Sequence, residues 1–456
     1  MAKSKKAYVC TNCNHTTLKW SGRCQQCGEW GTLEEQIVES KHKSIPSKNA
    51  RILKAKPLDE IEYDTQERLS SGIGELDRVL GGGFMPGSLV LIGGDPGIGK
   101  STLTLQAASR MLEAKPLYIT GEESESQIKY RADRLGIPTS EQKQLYILTE
   151  TEIETIASTV NSIDTEFVII DSIQSMHTDR VDSAPGTMTQ IRESTSHLMQ
   201  IAKSSGKTIL VIGHITKDGT IAGPKLLEHM VDAVLQFEGD PNQGYRILRS
   251  LKNRYGATGE LGIFDMTEKG LSEVKNPSEV FLSDNQLGDS SGVAIVPIIE
   301  GTRPLLIEVQ SLVTDTNFAV PQRTVTGFDQ KRLQIILAVL EKRLYTKLST
   351  SDVFVNIVGG ISLSDPAADL AVAAAVYGSL KESIIKEKTV LLGEIGLTGE
   401  IRSVSNIERR INEAYKLGFK NIVLPRKNYD RLSKKEKGLN FIPADRVSSA
   451  FEGIFN

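Results

Sequence analysis

The chain has 456 residues, with 54 basic side chains against 57 acidic ones and a formal net charge of −3. That length allows about three domains of ~150 residues, and 39% hydrophobic with 24% charged residues describes a soluble globular protein able to bury real cores. The near-neutral balance excludes nucleic-acid binding by bulk charge and leaves it to local patches. No apolar run approaches the ~18–20 residues of a bilayer span. The basic start Met1–Lys6 is followed by no apolar signal region, so a cytoplasmic location with reduced thiols and no membrane partner is expected.

All four cysteines fall in the first thirty residues, as Cys10-x2-Cys13 and Cys24-x2-Cys27. Each C-x-x-C knuckle turns two thiolates to one side, and two knuckles make a closed tetrahedral S4 site, so a structural Zn2+ is expected. Two disulfides or a redox pair are the alternatives; a reducing compartment opposes the first, and the second needs no second knuckle. Lys3, Lys5, Lys6, Lys19 and Arg23 with Trp20 and Trp30 make this finger (1–36) basic and aromatic, which suits nucleic acid or a protein partner. A linker over 37–65 follows; between Lys41 and Lys56 it carries six basic residues and no acidic one.

The apolar run Leu89–Ile92 leads into Gly94-Asp95-Pro96-Gly97-Ile98-Gly99-Lys100-Ser101, the spacing of a phosphate-binding loop. Its glycines let backbone N–H groups surround phosphates at a helix N-terminus. Residues Gly94–Thr102 are the expected ATP contacts, with Lys100 on the β- and γ-phosphates and the Ser101 hydroxyl in the Mg2+ shell. Leu103, Ala107, Met111 and Ala114 mark one face of the following helix.

Alternating strands and helices come next, predicting a mainly parallel sheet with ligands at the C-terminal strand ends. Leu117–Thr120 ends at Gly121-Glu122-Glu123, where Glu122 or Glu123 would orient the attacking water. Phe167–Ile170 ends at Asp171, placed to hold Mg2+. Thr208–Gly213 ends at His214, a candidate γ-phosphate sensor. The loop Thr216–Lys225 offers Lys217 and Lys225 as DNA-phosphate candidates.

Ser71–Asp77, the phosphate loop, Glu122-Glu123 and Asp171 together resemble the RecA-type recombinase and helicase fold. With the string Lys252-Asn253-Arg254-Tyr255-Gly256 and the four-cysteine finger, the chain resembles the bacterial RadA (Sms) family of DNA repair proteins over its whole length. The resemblance implies an α/β protein: finger, RecA-like ATPase core (66–274) and α+β Lon-protease-like domain (275–456). It implies that Lys252 and Arg254 face the γ-phosphate of a neighbouring subunit, and that the protein is a hexameric, DNA-dependent ATPase. That motor would translocate on single-stranded DNA and promote branch migration of branched recombination intermediates, with a RecA-type recombinase as partner.

The C-terminal half reads as strand-like runs near 293–299, 305–309, 353–360, 391–397 and 421–425, with helices near 333–344, 366–380 and 406–417. Aligned on the Lon-like pattern, Pro366 is followed by Ala367 where the family has its serine, and Glu408 stands where it has its lysine. Neither can supply Ser–Lys chemistry, so a platform for assembly and DNA is expected rather than a protease, with Arg402, Arg409, Arg410 and Lys416 as surface cations. An ATP-dependent protease and a switch-type ATPase without motor activity are the alternatives.

Overall fold

The computed structural model describes residues 5–12, 16–17, 19–38, 57, 59, 67–214, 227–239, 244–282, 290–433 and 438–455. Packing divides the chain into two units, Met1–Thr65 and Gln66–Asn456.

In the first unit, β1 (Lys5–Cys10) pairs antiparallel with both β2 (Thr16–Thr17) and β3 (Leu33–Val38), in the order β2-β1-β3. Its interior, among the described residues, is Cys10 and Cys24 with Tyr8 and Cys27 against them. So little apolar area cannot offset the entropy of ordering some thirty residues, so a bound metal must supply the difference.

The second unit opens with α1 (Gly74–Leu80) and then lays down β4 (Leu89–Gly94), α2 (Lys100–Arg110), β5 (Leu117–Thr120) and α3 (Glu125–Arg134). A short α4 (Thr139–Gln142), β6 (Tyr146–Thr149), α5 (Ile153–Ser162), β7 (Phe167–Asp171), α6 (Met188–Ser205), β8 (Thr208–His214) and β9 (Ala233–Glu238) follow. These strands form a parallel sheet in the order β9-β4-β8-β7-β5-β6. Every residue of β4, β5 and β7 is buried, which is why they read as unbroken apolar runs. The pleat divides β4 between two cores, Val90 and Ile92 on one side and Leu89 and Leu91 on the other.

Three further strands, β10 (Tyr245–Asn253), β11 (Leu261–Thr267) and β12 (Gly270–Glu273), extend the sheet beyond β9 in antiparallel sense. The polar interruptions Arg246, Arg249 and Lys252 hide β10 from a search for apolar runs.

In the C-terminal half, β13 (Val293–Glu300), β14 (Arg303–Asp315), β15 (Arg323–Thr326) and β16 (Ser351–Ile357) make a mixed sheet in the order β13-β14-β16-β15. Helix Gln330–Leu344 buries Leu333, Ile336, Leu337, Val339 and Leu340 in its core, and helix Asp369–Lys381 buries the run from Leu370 to Val376 there. A parallel trio of β17 (Thr389–Leu391), β20 (Asn421–Pro425) and β21 (Asn440–Ala444) and a hairpin of β18 (Glu394–Ile395) with β19 (Ile401–Arg402) complete it. The hydrophobic interior runs without a break into Ile247, Leu261 and Ile263 of β10 and β11. Two largely buried ion pairs, Arg303–Glu75 at 2.6 Å and Arg249–Glu300 at 2.9 Å, also join C-terminal residues to the half that holds the parallel sheet.

One expectation is corrected here. Arg410 is not a surface cation: it is 1% exposed. Its guanidinium donates to Ser405 O at 2.9 Å, Pro297 O at 2.8 Å and Asp365 Oδ2 at 2.6 Å. The charge is needed inside, to satisfy a carboxylate and two carbonyls at the foot of helix Ile407–Lys416. Ala367 is fully buried, and the exposed Glu408 accepts from Ser433 N at 3.2 Å and Ser433 Oγ at 2.5 Å.

Candidate functional site

The phosphate-loop residues Gly94–Ser101 join the end of β4 to the start of α2. Gly99 sits at φ +117°, a left-handed conformation that other residues rarely adopt. A Cβ on Gly94 would stand 2.8 Å from Phe237 O, so the loop lies against β9 at backbone distance. Lys100 is buried, and its Nζ donates to Gly94 O at 2.8 Å and Asp95 O at 2.9 Å. Burial lowers its pKa, while the carboxylates of Asp171, Asp95 and Glu122 oppose the shift. Those carboxylates hold the ammonium charged where phosphates would be met.

Asp171 ends β7, and its Oδ2 accepts from the buried Tyr118 hydroxyl of β5, two strands paired in parallel. Burial and the adjoining carboxylate push the Tyr118 phenol well above its usual range, so it stays a donor. Glu122 and Glu123 follow β5 on a turn whose N–H groups donate to Thr120 Oγ1 at 3.3 and 3.0 Å. Glu122 Oε1 accepts from Ser172 Oγ, beside Asp171. Glu123 turns the other way and pairs with Arg131 of α3; burial raises its pKa against the pull of that guanidinium. Backbone pairing sets His214 opposite Gly94. Sequence reasoning missed Tyr118, Ser172 and Arg131. A tyrosine inside an otherwise apolar strand was the only local signal.

Lys252 and Arg254 stand elsewhere. Lys252 Nζ donates to Glu228 O and to Val231 O at 3.0 Å, and burial with the neighbouring Arg254 lowers its pKa. Arg254 Nη1 lies 3.3 Å from Asp232 Oδ1, and Asp232 Oδ2 accepts from Leu89 N at 3.0 Å. Leu89 begins β4 and Gly94 ends it, so at ~3.3 Å per residue this cluster and the phosphate loop are about 17 Å apart along the strand. Lys217 and Lys225 lie outside the described residues.

Cys10, Cys24 and Cys27 bring their sulfurs within 4.8 Å of one another, and Cys13 lies outside the described residues. The Cys10–Cys27 separation is 3.6 Å. A disulfide needs about 2.05 Å, whereas two sulfurs each ~2.3 Å from a tetrahedral zinc stand about 3.8 Å apart. None of the three is in a disulfide, and their sulfurs fit a zinc site. Trp20 and Trp30 are 64% and 73% exposed, and the Arg23 guanidinium lies 5.9 Å from the Trp30 ring centroid.

A phosphate loop between a buried parallel strand and a helix, faced by carboxylates from two neighbouring strand ends, defines a RecA-like P-loop ATPase. Residues 55–220 match the family model of the AAA domain, residues 8–35 that of the rubredoxin metal binding domain, and residues 314–428 that of subunit ChlI of Mg-chelatase. The chain is 48% identical over 433 residues to the DNA repair protein RadA of Halalkalibacterium halodurans, covering 94% of each chain. It is 45% identical to the DNA repair protein RadA of Bacillus subtilis, over 99% of this chain and 98% of that one. It is 44% identical to that of Streptococcus pyogenes serotype M6, over 100% of both. Among solved structures, the RadB recombinase aligns with 45% of this chain and 100% of its own at 25% identity and a TM-score of 0.37. A KaiC-like protein of Pyrococcus horikoshii aligns with 46% of this chain and 99% of its own at 21% identity and 0.39. The chain belongs to the RadA family of DNA repair proteins. No helix among the described residues is long and apolar enough to cross a membrane.

Proposed function

We propose that this chain is a DNA-dependent ATPase of recombinational repair, acting as a hexameric ring that moves along single-stranded DNA and promotes branch migration. One observation carries the reading: the Lys252–Arg254 cations are fixed at the opposite end of β4 from their own phosphate loop. Cations with no route to the site of their own chain suit a site completed by a second copy. A guanidinium supplied in this way stabilises the charge that phosphoryl transfer spreads over the γ-phosphate.

Within one chain, Lys100 binds the β- and γ-phosphates, and Ser101 with Asp171 would hold Mg2+, which would supply positive charge against the phosphates. Glu122 orients the attacking water, because Glu123 is committed to Arg131. The thiolates of Cys10, Cys13, Cys24 and Cys27 hold Zn2+ in a finger that meets a RecA-type recombinase or the DNA. Lys217 and Lys225 contact DNA phosphates. Ala367 and Glu408 leave the C-terminal half without protease chemistry, as a platform for assembly and DNA.

The test is ATP hydrolysis with and without single-stranded DNA, from low to moderate salt. A DNA-stimulated rate that declines as salt rises supports a phosphate-tracking motor. A rate indifferent to DNA at every salt concentration overturns it.

A further inference from the structure

Asp232 is fully buried immediately before β9, and its carboxylate gathers four donors. Oδ2 accepts from Leu89 N at 3.0 Å and Lys203 Nζ at 2.9 Å. Oδ1 faces Arg254 Nη1 at 3.3 Å and the Tyr255 hydroxyl at 3.4 Å. Lys203 Nζ also donates to the Tyr255 hydroxyl at 3.2 Å, and lies 5.7 Å from that ring's centroid. One buried anion is therefore shared by two cations and clamped to the first residue of the strand that carries the phosphate loop.

The arrangement is uneven in a way that matters. Lys203 makes the short contact and neutralises the carboxylate, whereas Arg254 makes the long one and keeps a side chain that is 50% exposed. An arginine left free carries a large rotamer entropy. A guanidinium held through Nη1 by Asp232 and through Nη2 by His229 O at 3.5 Å has surrendered most of it, while half of the side chain still faces outward. A weak anchor of this kind orients the group and still lets a phosphate, with its greater charge, draw it away.

We propose that Asp232 is the positioning residue that aims Arg254 at the nucleotide bound by a neighbouring copy of the chain. The inference rests on the in-trans role of Arg254 proposed above. Asp232 touches no substrate; it acts through Arg254, with Tyr255 and Lys203 holding its carboxylate in place.

The experiment is a mixed-assembly assay of DNA-stimulated ATP hydrolysis, using full-length chains. In the baseline mixture, Lys100→Ala subunits keep Arg254 but have no working site of their own. Arg254→Ala subunits keep the site but lack the cation. Recovery of hydrolysis on mixing is expected; no recovery overturns the in-trans role and this inference with it.

Asp232→Asn is then added to one partner at a time. Placed in the Lys100→Ala subunit that donates Arg254, it should lower the recovered rate roughly tenfold, the usual scale of a lost charge-assisted positioning bond. Placed in the Arg254→Ala subunit that receives it, the rate should stay within about twofold, because that subunit's Asp232 has no arginine to aim. Equal losses in the two arms would mean damage to the fold, and a donor arm within twofold would mean no positioning; either result overturns Asp232 and leaves the in-trans role standing. Should Asp232→Asn fail to fold, Tyr255→Phe removes one donor from the same carboxylate. It should give a smaller loss, roughly threefold, again in the donor arm alone, and symmetry there overturns the inference equally.

Discussion

Replacing Gly121 with alanine tests whether the carboxylate turn after β5 is held by contact with the strand end that carries Asp171. Gly121 N donates to Asp171 O at 3.0 Å, and Glu122 follows directly. A Cβ at this position would overlap Ser175 Oγ and stand 2.7 Å from Thr151 Cγ2 and 2.8 Å from Ser175 Cβ. Gly121 is not among the residues with positive φ, so alanine meets no backbone penalty and the whole effect is one of space. Ser175 Oγ donates to Ser172 O at 2.8 Å, and Ser172 Oγ donates to Glu122. Pushing Ser175 aside therefore disturbs the residue that orients Glu122.

Restoring ordinary carbon contacts of ~3.5–4.0 Å requires a movement of about 1 Å. Such overpacking costs about 1–3 kcal/mol of stability, and misplacing a catalytic group by that much costs about 10²-fold in rate. The phosphate loop belongs to β4 and α2, so nucleotide affinity should change by less than about threefold. Steady-state kcat, the Kd of a fluorescent nucleotide and urea unfolding separate these effects. Gly453→Ala is the control: its φ is −99° and its added Cβ would stand 3.6 Å from Ile442 Cγ2. A Gly121→Ala enzyme with kcat within twofold of the parent would refute the steric argument. So would a loss of affinity as large as the loss of rate.

Lys100→Ala should abolish hydrolysis by removing the buried phosphate-binding cation, and unchanged turnover in a phosphate-release assay would remove the basis for that role. Cys24→Ser should lower zinc from one ion per chain and unfold the finger, measured by metal analysis and the emission of Trp20 and Trp30, the chain's only tryptophans. Glu75→Gln keeps the acceptor oxygen that Ile263 N and Arg303 Nη1 share but removes the negative charge that compensates the largely buried Arg303. It should cost about 3 kcal/mol in urea unfolding, and a loss below about 0.5 kcal/mol would contradict that. Glu400 is held to about 2 by the Thr398 hydroxyl, with Arg402 assisting. Its stabilising effect is therefore present above its ordinary value near 4.5 and lost as pH falls towards 2. In Thr398→Val the loss should still begin near 4.5 but be smaller and complete at higher pH, as followed by acid unfolding and carboxyl NMR titration.

Features set by neighbours in the chain were legible. The phosphate loop is a local spacing, and Asp171 stands out because a carboxylate ends a wholly apolar run. Both cysteine knuckles are local too. The partners that give these residues their state are not. Tyr118 meets Asp171 across 53 positions, and Ser172 meets Glu122 across 50. Asp232 is an unremarkable acid before a strand until residues 89, 203, 254 and 255 converge on it.

Arg410 shows why composition misleads in one direction. Helix Ile407–Lys416 carries charge on half of its positions, so every cation on it reads as solvated. Yet a helix packed on a sheet must turn some side chain inward at each position of its inner face. Ile411 and Ala414 fill two of those places and Arg410 a third. A leucine at 410 would bury as well, but it would strand Asp365 Oδ2 and Pro297 O without that donor. The inner face was predictable from the helical period. That it holds a cation depends on a carboxylate 45 residues away and a carbonyl 113 residues away, partners that only the folded chain brings together.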